Sequence, residues 1–137
     1  MNKNKPVILL DPYPRTMDIL FSKVNLKFLK NNFTLLKAPK SNKKNFYIKN
    51  LPHAKYIFGQ PNLPTELLKM QTKLKAIFNV ESNFMDNMDY DYCFKNNIHV
   101  LATSPVFAQP VAEMALGLTL SIARSIHIAH NDFVKGK

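Results

Sequence analysis

Short apolar runs alternate with helical patterns along most of this chain. Five runs rich in aliphatic and aromatic side chains each end in residues that favour turns or polar contacts. They predict buried strands at 7–10, 33–36, 55–59, 74–80 and 98–103. Between them, apolar residues recur at three- and four-residue spacing, which predicts helices at 17–31, 43–50, 65–73 and 87–97.

This alternation of strands and helices determines the expected fold class. Parallel neighbouring strands need a crossover connection, and a helix is the usual one. We therefore predict an α/β, flavodoxin-like fold: a doubly wound, parallel five-stranded sheet with strand order 2-1-3-4-5. In such sheets the ligand crevice lies beyond the carboxyl ends of the strands.

The segments that follow the predicted strands are polar or turn-forming. They are Asp11-Pro12, Gly59-Gln60-Pro61, Glu81-Ser82-Asn83 and Thr103-Ser104-Pro105. Because parallel strands end at the same edge of a sheet, we expect these segments to share one rim.

A long helix is predicted from Gln109 to about His130, with Pro110 in its first turn, where a missing N–H does no harm. Its apolar residues form two stripes on different sides. A helix that covers a single sheet needs only one apolar face, so the second face predicts a further partner. We expect homo-oligomer formation or precipitation through this helix. Its most apolar part, Met114–Ala123, is too short to span a bilayer, so we expect no membrane association.

Composition changes this picture little. The chain has 137 residues and a formal net charge of +10, and its bases are almost all lysines scattered along the sequence. Because arginine dominates specific phosphate and base contacts, we interpret the charge as a solvated basic surface and expect no nucleic-acid partner. A single cysteine, Cys93, and an N-terminus without a signal-peptide pattern lead us to expect a cytoplasmic protein.

Most candidate chemistry is absent from the sequence. The three glycines, Gly59, Gly117 and Gly136, fit neither G-x-G-x-x-G nor a P-loop. The acidic segment 81–91 contains Asp86 and Asp89 at the predicted start of a helix, which favours capping over a cation site. We expect Cys93 to be a core residue and predict no metal ligands and no catalytic residues.

The segment from Leu74 to Arg124 resembles the D-isomer-specific 2-hydroxyacid dehydrogenases, and the resemblance extends to most of the chain. Its most specific pieces are D-N-M-D at 86–89, N-N-I-H-V at 96–100 and V-A-E-x-A-L-G-L at 111–118. The resemblance implies a substrate-binding domain at 1–104. Residues 105–137 would form an interdomain helix and the start of an NAD-binding domain that is truncated or separately encoded.

The resemblance also implies a set of site residues. In the family, a G-x-G loop after the fourth strand offers backbone N–H groups to the substrate carboxylate, and the catalytic Arg, Glu and His lie in the NAD-binding domain. The matching loop positions here are Ser82, Asn83 and Phe84, where both glycines are replaced. The expected substrate-binding set is Gln60, Glu81, Ser82, Asn83, Phe84 and Pro105, and Val111 is the expected cofactor contact.

Two functional hypotheses follow. In the first, the chain is the substrate-binding portion of an oxidoreductase that interconverts small 2-hydroxy and 2-keto acids, with NAD or NADP bound by the full-length enzyme. We then expect this chain alone to bind no cofactor and to be inactive. In the second, it is a non-catalytic binding or interaction module that keeps the fold.

Overall fold

The computed structural model describes residues 5–137 of the chain. Its strands are β1 (Val7–Asp11), β2 (Thr34–Lys37), β3 (Ala54–Gly59), β4 (Ala76–Phe78) and β5 (His99–Leu101). Its helices are α1 (Met17–Leu20), α2 (Lys23–Asn32), α3 (Lys43–Asn50), α4 (Thr65–Leu68), α5 (Tyr90–Lys95), α6 (Ser104–Ala123) and α7 (Ile126–Val134). Residues 5–103 form one compact unit, and Ser104–Lys137 form a second.

The five strands form one sheet in the order β2-β1-β3-β4-β5, and every neighbouring pair is parallel. This confirms the predicted fold class and strand order. The order reverses at β1 and β3, so their carboxyl ends lie at the point where doubly wound sheets open a crevice. There, Asp11 pairs with Gly59 across the two strands.

The two faces of the sheet have different side chains. Leu9, Ile57 and Ile77 are fully buried on one face, within the main hydrophobic core. On the other face, half-buried aromatic rings pack together: Phe58 stacks on Phe78 with centroids 4.6 Å apart, and Phe21 meets Phe58 edge-on. Because strand side chains alternate between faces, the apolar runs that predicted the strands supply both layers.

Cys93 lies on α5 and is completely buried, which confirms its predicted place in the core. Burial is also the main reason that the pKa of its thiol rises to about 11. The spacing of Tyr90 and Phe94 in the helix predicted at 87–97 favours inward packing of both residues. This is wrong for Phe94, which is 56% exposed and whose ring lies tilted to the Tyr90 ring with centroids 6.5 Å apart. A helix as short as α5 buries one narrow face, and Cys93 occupies it.

The helix predicted at 17–31 is two helices, α1 and α2. Ser22 separates them, because its hydroxyl caps α2 by accepting a hydrogen bond from the Asn25 N–H at 3.2 Å. The break changes the phase of the apolar pattern. Val24 and Phe28, two of the apolar residues whose spacing predicts the helix at 17–31, are therefore exposed.

The helix predicted at 109–130 is also two helices, α6 and α7. It begins five residues earlier than expected, which puts Pro110 inside the helix and Pro105 near its start. It ends because Ser125 adopts a left-handed backbone conformation with φ of 51°, while its N–H donates to the Ile122 carbonyl.

The apolar side chains of α6 point in several directions and are exposed. They include Val106, Phe107, Val111, Met114, Leu116, Leu118, Leu120 and Ile122. The helix has 20 residues, so by length and composition alone it could cross a membrane. One such helix is weak support for a membrane span, because helices of soluble proteins pass the same test.

Gly59 allows a direct test of the sheet's central contact. A Cβ at this residue would lie 2.1 Å from the Asp11 carbonyl oxygen, and the backbone has φ of +145°. We expect Gly59→Ala to lower the free energy of unfolding by roughly 3 kcal/mol, because overpacking and backbone strain add. Urea denaturation followed by circular dichroism measures this.

The matched control is Gly117→Ala in α6, where an added Cβ meets nothing within 4 Å. This change should be neutral or stabilising by up to about 1 kcal/mol, since alanine is the better helix former. An equal loss of stability in both variants would contradict the packing argument.

Candidate functional site

Gln60 joins two of the segments predicted to share the rim. It follows β3 directly, and its side-chain amide reaches the loop that follows β4. The Gln60 Nε2 donates to the Asn83 carbonyl at 3.1 Å, and its Oε1 accepts from the Glu81 N–H at 3.0 Å. Both ends of the amide are therefore engaged, so Gln60 positions the loop.

Arg15 holds the same loop from the other side. It lies in the connection after β1, and its Nε and Nη2 donate to the two Glu81 carboxylate oxygens at 2.9 and 3.2 Å. The hydrogen bond and the charge of Glu81 raise the pKa of Arg15. The Glu81 carboxylate is thus neutralised by a neighbouring cation.

The backbone of this loop is open to a ligand. In the described part of the chain, the N–H groups of Asn83 and Phe84 donate no hydrogen bond. Among residues 5–137, no residue of this loop has a left-handed backbone conformation. The loop conformation therefore does not require the glycines that the resemblance leads one to expect. The Ser82 hydroxyl lies 3.3 Å from that of Thr103, and the exposed Phe84 ring packs edge-on against Tyr90.

Asn79 is a further polar residue at this edge, and it is 4% exposed. Its side-chain amide has no hydrogen-bond partner among residues 5–137. The single proton of the nearby Tyr90 hydroxyl is shared between the Met85 carbonyl oxygen, 2.6 Å away, and the Asn87 Oδ1, 3.0 Å away. Burial raises the pKa of Tyr90, and the hydrogen bond to the Met85 carbonyl partly offsets this rise. Asn79 is not among the site residues predicted from the sequence, although a polar residue at the end of a predicted buried strand is a visible signal.

Asp89 serves the helix rather than a ligand. Its carboxylate caps α5 by accepting from the Tyr92 N–H at 2.9 Å, and it also accepts from the Thr65 hydroxyl. These hydrogen bonds, that of Thr65 first, lower its pKa. The capping prediction is confirmed for Asp89 and wrong for Asp86, which is exposed and lies before the cap because α5 starts at Tyr90.

Asp11, at the carboxyl end of β1, is a buried acid with two partners. Its Oδ1 accepts from Lys43 Nζ at 2.7 Å, and its Oδ2 accepts from the Tyr47 hydroxyl at 3.2 Å. Burial, followed by the charge and hydrogen bond of Asp11, raises the pKa of Tyr47. Lys43 also lies 5.9 Å from the centroid of the Tyr13 ring.

A cavity of about 750 Å³ lies beside this network, within the first compact unit. Its lining includes Asp11, Tyr13, Arg15, Lys37, Lys40 and Lys43. None of these bases is among the site residues predicted from the sequence. Lys43 and Tyr47 are four residues apart and therefore share one face of α3. This spacing indicates a site only when Asp11 is known to lie opposite them.

The remaining predicted contacts lie on α6. Pro105 is in its first turn, and Val111 is 63% exposed. Their predicted roles, like those of Gln60, Glu81, Ser82, Asn83 and Phe84, stay predictions. Within the described residues, no group of three or more His, Cys, Asp or Glu side chains is placed to hold a metal ion.

Comparison with solved structures identifies the relatives. A phosphoglycerate oxidoreductase from Rhizobium etli is 38% identical over 97% of this chain, with a TM-score of 0.78. This chain is a relative of the D-2-hydroxyacid dehydrogenases. It spans 41% of the length of the Rhizobium protein. No family model matches the sequence, and no curated protein matches it.

Solved structures with lower sequence identity share the fold. A 2-hydroxyacid dehydrogenase from Ketogulonicigenium vulgare is 22% identical over 97% of this chain and 40% of its own, with a TM-score of 0.60. An NADPH-dependent glyoxylate/hydroxypyruvate reductase from Sinorhizobium meliloti, solved with NADP and malonate, is 20% identical with a TM-score of 0.57. The match covers 97% of this chain and 39% of the Sinorhizobium protein.

The two hydrogen bonds by which Gln60 holds the loop after β4 can be tested by hydrogen exchange. Gln60→Ala removes two hydrogen bonds to the loop backbone, which together contribute roughly 1–2 kcal/mol. We expect the Glu81 amide to exchange about tenfold faster, measured by mass spectrometry on peptides covering 79–89. Gln109→Ala, which removes only an exposed contact with Glu113, should leave those peptides unchanged. An unchanged exchange rate of the Glu81 amide in Gln60→Ala would contradict the proposed role of Gln60 in holding the loop.

The buried tyrosine predicts a pH dependence. A raised pKa means that folded Tyr47 keeps a proton that the unfolded chain releases above about pH 10. The contribution of protonated Tyr47 to the free energy of unfolding is therefore complete below pH 10, and it is lost as the pH rises further. The stability difference between wild type and Tyr47→Phe should shrink by about 1 kcal/mol from pH 9 to pH 11 in urea titrations.

Tyr13→Phe is the control for this experiment, because it removes the same hydroxyl from a residue that is 76% exposed. Its stability should follow that of the wild type across the pH range. A constant difference between wild type and Tyr47→Phe from pH 9 to pH 11 would count against a buried, protonated Tyr47.

Proposed function

We propose that this chain is the substrate-binding portion of an NAD(P)-dependent oxidoreductase that acts on the CH–OH group of a D-2-hydroxy acid. The 38% identity with the Rhizobium oxidoreductase supports the reaction class. The observation that carries the proposal is the loop after β4, whose free Asn83 and Phe84 N–H groups are held at the ligand edge of the sheet.

The loop suits a carboxylate for electrostatic reasons. Backbone N–H groups that have no other acceptor bind anions well, because they need not give up an existing hydrogen bond. Arg15 lies next to this loop and offsets the charge of Glu81, so an incoming carboxylate does not meet an uncompensated acid. The Asn79 amide, buried beside the loop, is available to a further polar group of the substrate.

Residues 5–137 do not fit a dinucleotide. Gly59 is packed against Asp11, and Gly117 lies within α6, so neither can form a phosphate-binding loop. The cofactor, NAD or NADP, would be bound by a domain supplied by the rest of a longer protein or by a separate polypeptide. It would accept or donate hydride there, and Val111 is the proposed contact with it.

We further propose a cytoplasmic protein that associates with itself through α6. The exposed apolar side chains of α6 support association, because contiguous apolar surface is usually covered in a working protein. Pro105, in the first turn of α6, belongs to the proposed substrate-binding set.

The test is an NMR titration of the isotope-labelled chain with glyoxylate. We expect saturable shifts at the Asn83 and Phe84 amides, and none with glycolaldehyde, which lacks the carboxylate. Arg15→Gln should weaken glyoxylate binding about fivefold, because it leaves Glu81 unpaired beside the loop. Arg124→Gln, the same change in the connection between α6 and α7, is the control and should not weaken glyoxylate binding.

Calorimetry with NADH and an absorbance assay with 2-keto acids complete this test. We expect the chain alone to bind no NADH and to show no turnover, since hydride transfer needs a bound cofactor and a base. Glyoxylate shifts confined to residues away from the loop would contradict substrate binding. Turnover above the blank would contradict the proposed inactivity.

A non-catalytic binding module is the second candidate. It is favoured by the loop sequence, because Ser82 and Phe84 place side chains where the resemblance leads one to expect glycines. This candidate predicts that neither glyoxylate nor glycolaldehyde shifts the loop amides.

A further inference from the structure

We infer that the cavity at the carboxyl ends of β1 and β2 binds a small oxyanion, either a phosphoryl group or a carboxylate. Two sources have this chemistry: a second anionic group on the substrate, or a separate small anion. The first source rests on the proposed function, and the second does not.

The cavity collects bases from several separate elements. Arg15 comes from the connection after β1, Lys37 from the end of β2, Lys40 from the next connection and Lys43 from the first turn of α3. In the described part of the chain, Lys37 and Lys40 form no ion pair. Two cations therefore remain available at the cavity after the existing pairs are made.

The start of α3 adds to the positive potential. This helix has eight residues, begins with Lys43 and Lys44, and has no acid in its first turn. The Asn42 side chain forms no capping hydrogen bond. The positive end of the helix dipole and the free N–H groups of the first turn thus lie beside two lysines, and like charges repel. A bound anion would reduce this repulsion.

The acid in the cavity wall does not cancel this attraction. Both Asp11 carboxylate oxygens are occupied, one by Lys43 and the other by the Tyr47 hydroxyl. Asp11 therefore fixes Lys43 in the wall. The other acid in the lining is Asp18, so the four bases outnumber the acids.

The size of the cavity limits the ligand. A volume of about 750 Å³ lies within the usual range for small-molecule sites and is far too small for a macromolecule. Arg15 belongs both to the cavity lining and to the ion pair that holds the loop after β4. An anion in the cavity therefore lies next to the proposed carboxylate site.

The experiment is a titration of the 137-residue chain with inorganic phosphate, followed by NMR and calorimetry. We expect saturable amide shifts at residues 37–44. The double variant Lys37→Gln/Lys40→Gln should bind phosphate about fivefold more weakly, the loss expected when two exposed ion pairs are removed. Lys27→Gln/Lys73→Gln removes the same charge from exposed residues outside the cavity lining and should bind like the wild type.

A second pair of titrations separates the two sources. D-Glycerate and 3-phospho-D-glycerate differ only by a phosphoryl group. If 3-phospho-D-glycerate binds more tightly than D-glycerate, and this difference disappears in Lys37→Gln/Lys40→Gln, the cavity binds the second anionic group of the substrate. Equal binding of both acids, with phosphate still bound in the cavity, would assign it to a separate anion.

The remaining outcomes are also distinct. Phosphate binding without an effect of any 2-hydroxy acid would support the cavity site and contradict the proposed function. Absence of shifts at residues 37–44, or equal weakening in the control double variant, would overturn the inference. Circular dichroism of each variant shows whether a loss of binding reflects a loss of fold.

Discussion

The close contact between Asp11 and Gly59 is the constraint on which the ligand edge depends. These residues end β1 and β3, the neighbours at which the strand order reverses. A glycine is required because any Cβ would overlap the Asp11 carbonyl. The contact directs the two following segments: Asp11 faces Lys43 and Tyr47, and Gln60 extends to the loop after β4.

Two ion pairs organise this edge in different ways. Arg15 is half-exposed and the Glu81 side chain is 27% exposed, so solvent screens their pair, which contributes little stability and serves mainly to balance charge beside the loop. Asp11 is nearly buried, and it also accepts the Tyr47 hydroxyl. Removing either of its partners would leave an acid that water cannot fully solvate, so the loss of a partner costs more stability here than at the Arg15–Glu81 pair.

The sequence was sufficient for the fold but only partly for the site. Strand-length apolar runs separated by helical patterns permit few topologies, so the parallel order 2-1-3-4-5 could be predicted. Periodicity could not show that Ser22 and Ser125 interrupt helices, because capping and left-handed backbone depend on local geometry. It also could not show that Asp11 faces Lys43, a pairing that exists only once β1 lies beside α3.

The central claim is that the loop after β4 is held open for a carboxylate at the edge organised by Asp11 and Gly59. A crystal structure of the chain grown with glycolate tests this most directly. The account predicts a carboxylate within hydrogen-bonding distance of the Asn83 and Phe84 N–H groups, with the Gln60 contacts kept. Glycolate bound elsewhere on the chain, or a loop detached from Gln60 around the ligand, would contradict it.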